Sequence, residues 1–106
     1  MNIPFQTNER VMKAAASNEE NGQEIMALLL DKRRDEIQIT ENIVKAAAEN
    51  SESGQQIMAL LLQRHEIQIT EDIVKAAAAN YKSGHQIMAL LLNRRGHTIQ
   101  ITDEIL

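Results

Sequence analysis

Residues 36–65 read EIQITENIVKAAAENSESGQQIMALLLQRH. The next thirty residues, Glu66–Arg95, repeat them with seven differences, and Ile3–Arg34 is a more divergent copy. Such a period decides the fold before any local reading, because a unit too small to bury its own apolar face must stack on its neighbours. Residues 1–106 therefore form a single repeat domain by sequence. Its units lie at approximately 3–34, 36–65 and 66–97, with the start of a fourth at 99–106.

Every unit has the same grammar. It opens on an alternating pair, Ile37-Gln38-Ile39, which recurs at 67–69 and 99–101. Period-two alternation predicts a short extended segment with both isoleucines on one side. These segments are not expected to form a continuous parallel sheet. Packed helices need about 8–10 Å between axes, whereas paired strands need about 4.8 Å, and one stack cannot advance at both spacings.

A first helix follows at once. Thr40, Thr70 and Thr102 suit its N-cap, with Asn8 in the first copy. Glu41, Glu71 and Asp103 come next, where negative charge favours the helix dipole. Ile39 with Val44, Ile69 with Val74 and Ile101 with Leu106 have the spacing of a hydrophobic staple. Lys-Ala-Ala-Ala at 13–16, 45–48 and 75–78 leaves room for a close neighbouring helix. Asn18, Asn50 and Asn80 suit a left-handed helix stop.

The second helix is expected to start from a capping box opened by Asn21, Ser53 or Ser83. Ile-Met-Ala-Leu-Leu-Leu then covers 25–30, 57–62 and 87–92. Six consecutive apolar residues span most of a helix circumference, so this helix should be buried on nearly all sides. Lys32 and Arg33, Arg64, and Arg94 with Arg95 close it, as cations favour a helix C-terminus. The predicted spans are 9–17, 41–49 and 71–79 for the first helices, and 22–33, 54–64 and 84–95 for the second. The fold class is all-α, a right-handed α-solenoid of three helix–turn–helix repeats joined by short extended segments.

Composition narrows the function. Aromatic residues are only 2% against 43% hydrophobic, so the core must be aliphatic. A net charge of −4 argues against a protein built mainly to hold nucleic acid or an anionic membrane. Without cysteine there is neither a disulfide framework nor a thiolate metal site. The N-terminal residues lack the apolar stretch of a signal peptide, and no apolar run approaches the roughly 20 residues that span a bilayer. The expectation is a soluble, cytoplasmic protein.

Thr-x-x-x-Val-x-Ala-Ala-Ala, a turn, then Ile-Met-x-Leu-Leu-Leu and Arg-Arg-Gly resembles an ankyrin-type helix–turn–helix repeat over nearly the whole chain. The Thr-Pro-Leu-His start of that family is missing, the turn between helices is longer, and Ile-Gln-Ile-Thr replaces the hairpin. The stretch ITEDIVKAAAANYKSGHQIMALLLNRRG, residues 69–96, is similar to near-identical repeats in C-terminal arrays of fungal NACHT or NB-ARC (NLR-like) receptor proteins. The resemblance implies a ligand- or partner-sensing array within a larger receptor-like or scaffold protein.

No enzyme chemistry emerges. His65, His85 and His97 have no partner at ligand spacing, so they are expected to be ordinary loop and surface residues, and no catalytic or metal-binding residue is assigned. Glu19 with Glu20, and Glu49 with Glu52, flank turns and suit a solvated edge. Gly22, Gly54 and Gly84 are isolated turn glycines rather than a phosphate loop, and Met26, Met58 and Met88 are core residues by position. No cofactor is expected.

The units themselves point to a surface. Their apolar positions barely change, and Lys13, Lys45 and Lys75 stay fixed, while variation gathers in the turn between the two helices. Glu19, Ser51 and Tyr81 are equivalent, as are Glu20, Glu52 and Lys82, and Gln23, Gln55 and His85. Variation along one edge is what a modular binding surface shows, each repeat offering different groups to one long protein or peptide partner. Tyr81 is the expected anchor, since aromatics dominate interface hot spots. The strip runs from acidic at Glu19 and Glu20 to basic at Lys82. Two other readings compete. One is a structural spacer with no partner of its own. The other is a nucleic-acid-binding solenoid using Lys32, Arg33, Arg34, Arg64, Arg94 and Arg95 in the inter-repeat loops. The last unit also lacks a polar cap, so weak self-association through its open face is expected.

Overall fold

The alternating caps and apolar runs produce alternating short and longer helices. In the computed structural model the described residues are 9–32 and 37–98, with side chains described as far as residue 93. They form six helices: α1 Glu9–Ser17, α2 Gly22–Lys32, α3 Glu41–Glu49, α4 Gly54–Arg64, α5 Glu71–Ala79 and α6 Gly84–Thr98. No strand occurs among the described residues. The expected boundaries hold for α1, α3, α4 and α5, whereas α6 runs on to Thr98. Expectations that fall on Asn8, Arg33, Arg34, Thr102, Asp103 or the fourth unit at 99–106 lie outside the described residues.

Thr40 and Thr70 cap α3 and α5 as expected, each hydroxyl accepting from the backbone N–H three residues on, at 3.4 Å from Ile43 and 3.3 Å from Ile73. Ile67 and Ile69 are buried while Gln68 is exposed, so the extended segment points both isoleucines inward. Each helix pairs with its sequence neighbour, α1 with α2, α3 with α4 and α5 with α6. First helices also pack on first helices, α1 on α3 on α5, and second on second, α2 on α4 on α6. The alanine runs explain the tight first layer: Ala46, Ala47 and Ala48 of α3 are all buried between its neighbours.

Burial on nearly all sides is true only of α4. Ile57, Met58, Leu61 and Leu62 are buried there, with Ala59 and Leu60 half-buried. In α2 Leu28 is exposed, and in α6 Ala89 and Leu92 are exposed. The physical reason is position: α4 has a second helix on each side of it, and α2 and α6 have one.

Two local readings are overturned. Asn50 and Asn80 do not stop their helices in a left-handed conformation; their φ values are −78° and −81°, and no described residue has positive φ. Nor does Ser53 cap α4, since its side chain makes no cap hydrogen bond. Both residue types are used instead between units, as set out below. Gly54 likewise is more than a turn residue. A Cβ there would lie 2.6 Å from the Ala47 carbonyl oxygen and 2.9 Å from Ile87 Cδ1, so only glycine lets α4 start against the end of α3 and under the next unit.

Candidate partner-binding edge

The turn between the helices of each unit is built on one asparagine. Its Oδ1 gathers the turn's own backbone: Asn18 accepts from the N–H groups of Glu20 and Asn21 at 2.9 and 2.7 Å. Asn50 accepts from those of Glu52 and Ser53 at 3.0 and 2.8 Å, and Asn80 from those of Lys82 and Ser83 at 3.2 and 2.9 Å. The other end of the amide reaches back one unit. Asn50 Nδ2 donates to the carbonyls of Ala16 and Asn18 at 2.9 and 3.1 Å. Asn80 Nδ2 donates to those of Ala48 and Asn50 at 2.9 and 3.1 Å. Asn50 and Asn80 are the buried polar residues of the described core, and these four bonds each are what make their burial tolerable.

Two further ladders run parallel to this one. Ser53 Oγ donates to the Glu19 carbonyl at 2.9 Å, and Ser83 Oγ to the Ser51 carbonyl at 2.7 Å. At the start of the first helices, Thr40 Oγ1 donates to the Glu9 carboxylate at 2.6 Å and Thr70 Oγ1 to that of Glu41 at 2.5 Å. The Thr40 hydroxyl, then the Asn42 side chain, hold the Glu9 carboxyl below its ordinary pKa. Glu41, read from the sequence as a dipole partner, therefore also ties its unit to the next, as Glu9 does in the first unit.

This framework fixes the turn backbone with buried or half-buried side chains and leaves the variable ones outside it. Glu19, Glu20, Gln23, Glu52, Gln55, Lys82 and His85 are exposed and Ser51 is half-buried. Tyr81 is 91% exposed, too much for any role in the core. The hydrogen bonds between units bring all nine positions onto one edge. Gln55 and His85 also border a shallow depression of about 490 Å³ between α4 and α6.

The electrostatic gradient expected along this edge is altered. Lys82 Nζ forms an ion pair with the Glu52 carboxylate of the preceding turn, and that hydrogen bond and charge raise the lysine's pKa. The basic end is thereby neutralised by its neighbour, and the net character of the strip is acidic at Glu19 and Glu20. On the inter-repeat side, Arg64 pairs with Asp31 at 2.5 Å, so it is not held free for a phosphate. His65 beside it has a lowered pKa, from burial first and the Arg64 charge second. Among the described residues no group of three or more His, Asp or Glu could hold a metal ion. No helix there is long and apolar enough to cross a membrane.

The repeated unit also carries the family relationship. The family model described as a domain of unknown function, DUF7104, matches four successive stretches, residues 5–26, 28–58, 60–88 and 90–106. The chain belongs to the DUF7104 family. The DUF7104 matches are cut at Ala27, Ala59 and Ala89, in the middle of α2, α4 and α6, rather than between helix pairs. Each DUF7104 stretch in the interior therefore holds an intact connection from one second helix to the next first helix. No curated protein and no solved structure matches the chain.

Proposed function

We propose that this chain is a non-catalytic repeat array, an ankyrin-like α-solenoid of three helix pairs, that binds a protein or peptide along its turn edge. The observation that supports it most is the division of labour within each turn. Asn18, Asn50 and Asn80 are constant and hold the backbone, while the neighbouring exposed positions change from unit to unit. A rigid backbone presenting exchangeable side chains binds without a large ordering cost. The edge is long and shallow, which suits an extended partner better than a small metabolite. Its acidic end at Glu19 and Glu20 favours a partner with basic groups there, and Tyr81 supplies the apolar anchor. The receptor-like context rests on the resemblance of residues 69–96 to arrays of that kind.

The test is a partner isolated from the native cell and titrated against variants. Tyr81→Ala should weaken binding by at least about 2 kcal/mol, as for an aromatic hot spot. Changes at Arg33 and Arg34 should leave affinity unaltered. Loss from the arginine changes alone would move the site to the basic loops, and loss from neither would leave a spacer.

A further inference from the structure

The spacing that forbids a continuous sheet leaves room for something else. Successive first helices pack on one another, and packed helix axes lie about 8–10 Å apart. Each unit contributes one extended segment, and two strand spacings come to about 9.5 Å. Neighbouring extended segments are thus too far apart to pair, and far enough apart to admit one strand between them. Both borders of one such gap are described, Ile37-Gln38-Ile39 on one side and Ile67-Gln68-Ile69 on the other. It lies inside the array, so further units added at either end would not cover it.

The backbone bordering the gap is unpaired. Among the described residues, no backbone N–H or C=O of residues 37–39 or 66–69 makes a hydrogen bond, although Ile67 and Ile69 are buried. Buried backbone groups are nearly always paired. The isoleucines pack toward the core and the glutamines are exposed, so these groups point along the stack, toward the neighbouring segments. Alternate residues point opposite ways, so one residue's groups border the gap on one side and two residues' groups on the other. A depression of about 380 Å³ opens there, bordered by Ile39 and Thr40 of one unit and by Ile67 and Gln68 of the next. Glu41 and Glu66 also line it, and among the described residues no lysine or arginine does.

We propose that this gap binds an extended, basic peptide segment of a partner protein, which enters as a strand between two units. Its backbone supplies partners for the unpaired N–H and C=O groups, the mode of strand addition. Its cations meet Glu41 and Glu66. This site is separate from the turn edge that carries Tyr81.

The probe is a capped hexapeptide alternating lysine and valine, titrated into the whole chain and followed by NMR. In the free chain the backbone amides of residues 37–39 and 67–69 should exchange much faster than that of buried Ala77 in α5. The peptide should bind with a Kd below about 1 mM and slow the exchange of the amides that face the gap. The same peptide N-methylated at alternate residues keeps every charge but cannot pair, and should bind about tenfold more weakly or worse. Glu66→Lys, at an exposed position, should weaken binding by about fivefold or more, while Tyr81→Ala leaves it unchanged. Equal affinity for the methylated peptide, equal affinity of Glu66→Lys, or no binding at about 1 mM would overturn the proposal. So would a loss on Tyr81→Ala, which would put the peptide on the turn edge. Amides at 67–69 that exchange as slowly as Ala77 in the free chain would also overturn it, because the chain would then cover the gap itself.

Discussion

Asn50→Ala is expected to lower the unfolding free energy by about 3–4 kcal/mol, although the residue belongs to a turn and removes almost no apolar area. Each hydrogen bond is worth only about 0.5–1.5 kcal/mol net, but a buried group left without a partner adds about 1–3 kcal/mol of desolvation. The Asn50 amide serves four backbone groups, two in its own turn and two in the preceding unit. Alanine removes all four bonds at a site that is 3% exposed in the wild type, although the Asn18 carbonyl keeps the Gly22 N–H at 3.1 Å. Asn18→Ala is the internal comparison. Its side chain accepts from the N–H groups of Glu20 and Asn21, in an exposed turn that water can reach, so its loss should cost about 1 kcal/mol. Urea melts showing equal losses at the two positions would mean that the bonds between units contribute nothing.

The second large effect is at Leu61, which is fully buried in α4. Leu61→Ala should cost about 3–5 kcal/mol, the upper part of the range for leucine truncation, because helices on both sides restrict collapse into the cavity. The equivalent Leu29 is half-buried, on a helix with a neighbour on one side, and its truncation should cost visibly less. Lys75→Ala, on the exposed surface of α5, should stay within about 0.5 kcal/mol. Equal losses at Leu61 and Leu29 would contradict the assignment of α4 as the central element.

What the sequence made legible was whatever the chain decides locally. Thr40 and Thr70 announce α3 and α5 because an N-cap needs only a neighbour three residues away, and the alternation of Ile67, Gln68 and Ile69 shows which side is buried. The failures share a cause. Asn50 and Ser53 fit a left-handed stop and a capping box when only adjacent residues are considered, yet their side chains bond to residues more than thirty positions earlier. Local grammar cannot see such partners, although the constancy of Asn18, Asn50 and Asn80 in otherwise variable turns was a signal that something held them.

The candidate edge was legible in the same limited way. Comparing units singles out Glu19, Ser51 and Tyr81 because equivalent positions vary there; Glu19 and Tyr81 are exposed and Ser51 is half-buried. The ion pair between Lys82 and Glu52 was not visible, because charge counted along one unit omits the neighbour that stacking places beside it. The uneven burial of the leucine runs was missed for a related reason. The runs at 25–30 and 87–92 match the central one, but a helix at an end has fewer neighbours than its sequence could bury.

Buried asparagines lock successive units together and thereby fix the turns that display the variable side chains. Hydrogen exchange of side-chain amides, followed by NMR on the whole chain, tests it most directly. The Asn50 and Asn80 NH2 protons should exchange slowly, protected as part of the core, while those of exposed Asn93 exchange fast. Asn50 and Asn80 amides that exchange as fast as that of Asn93 would contradict it.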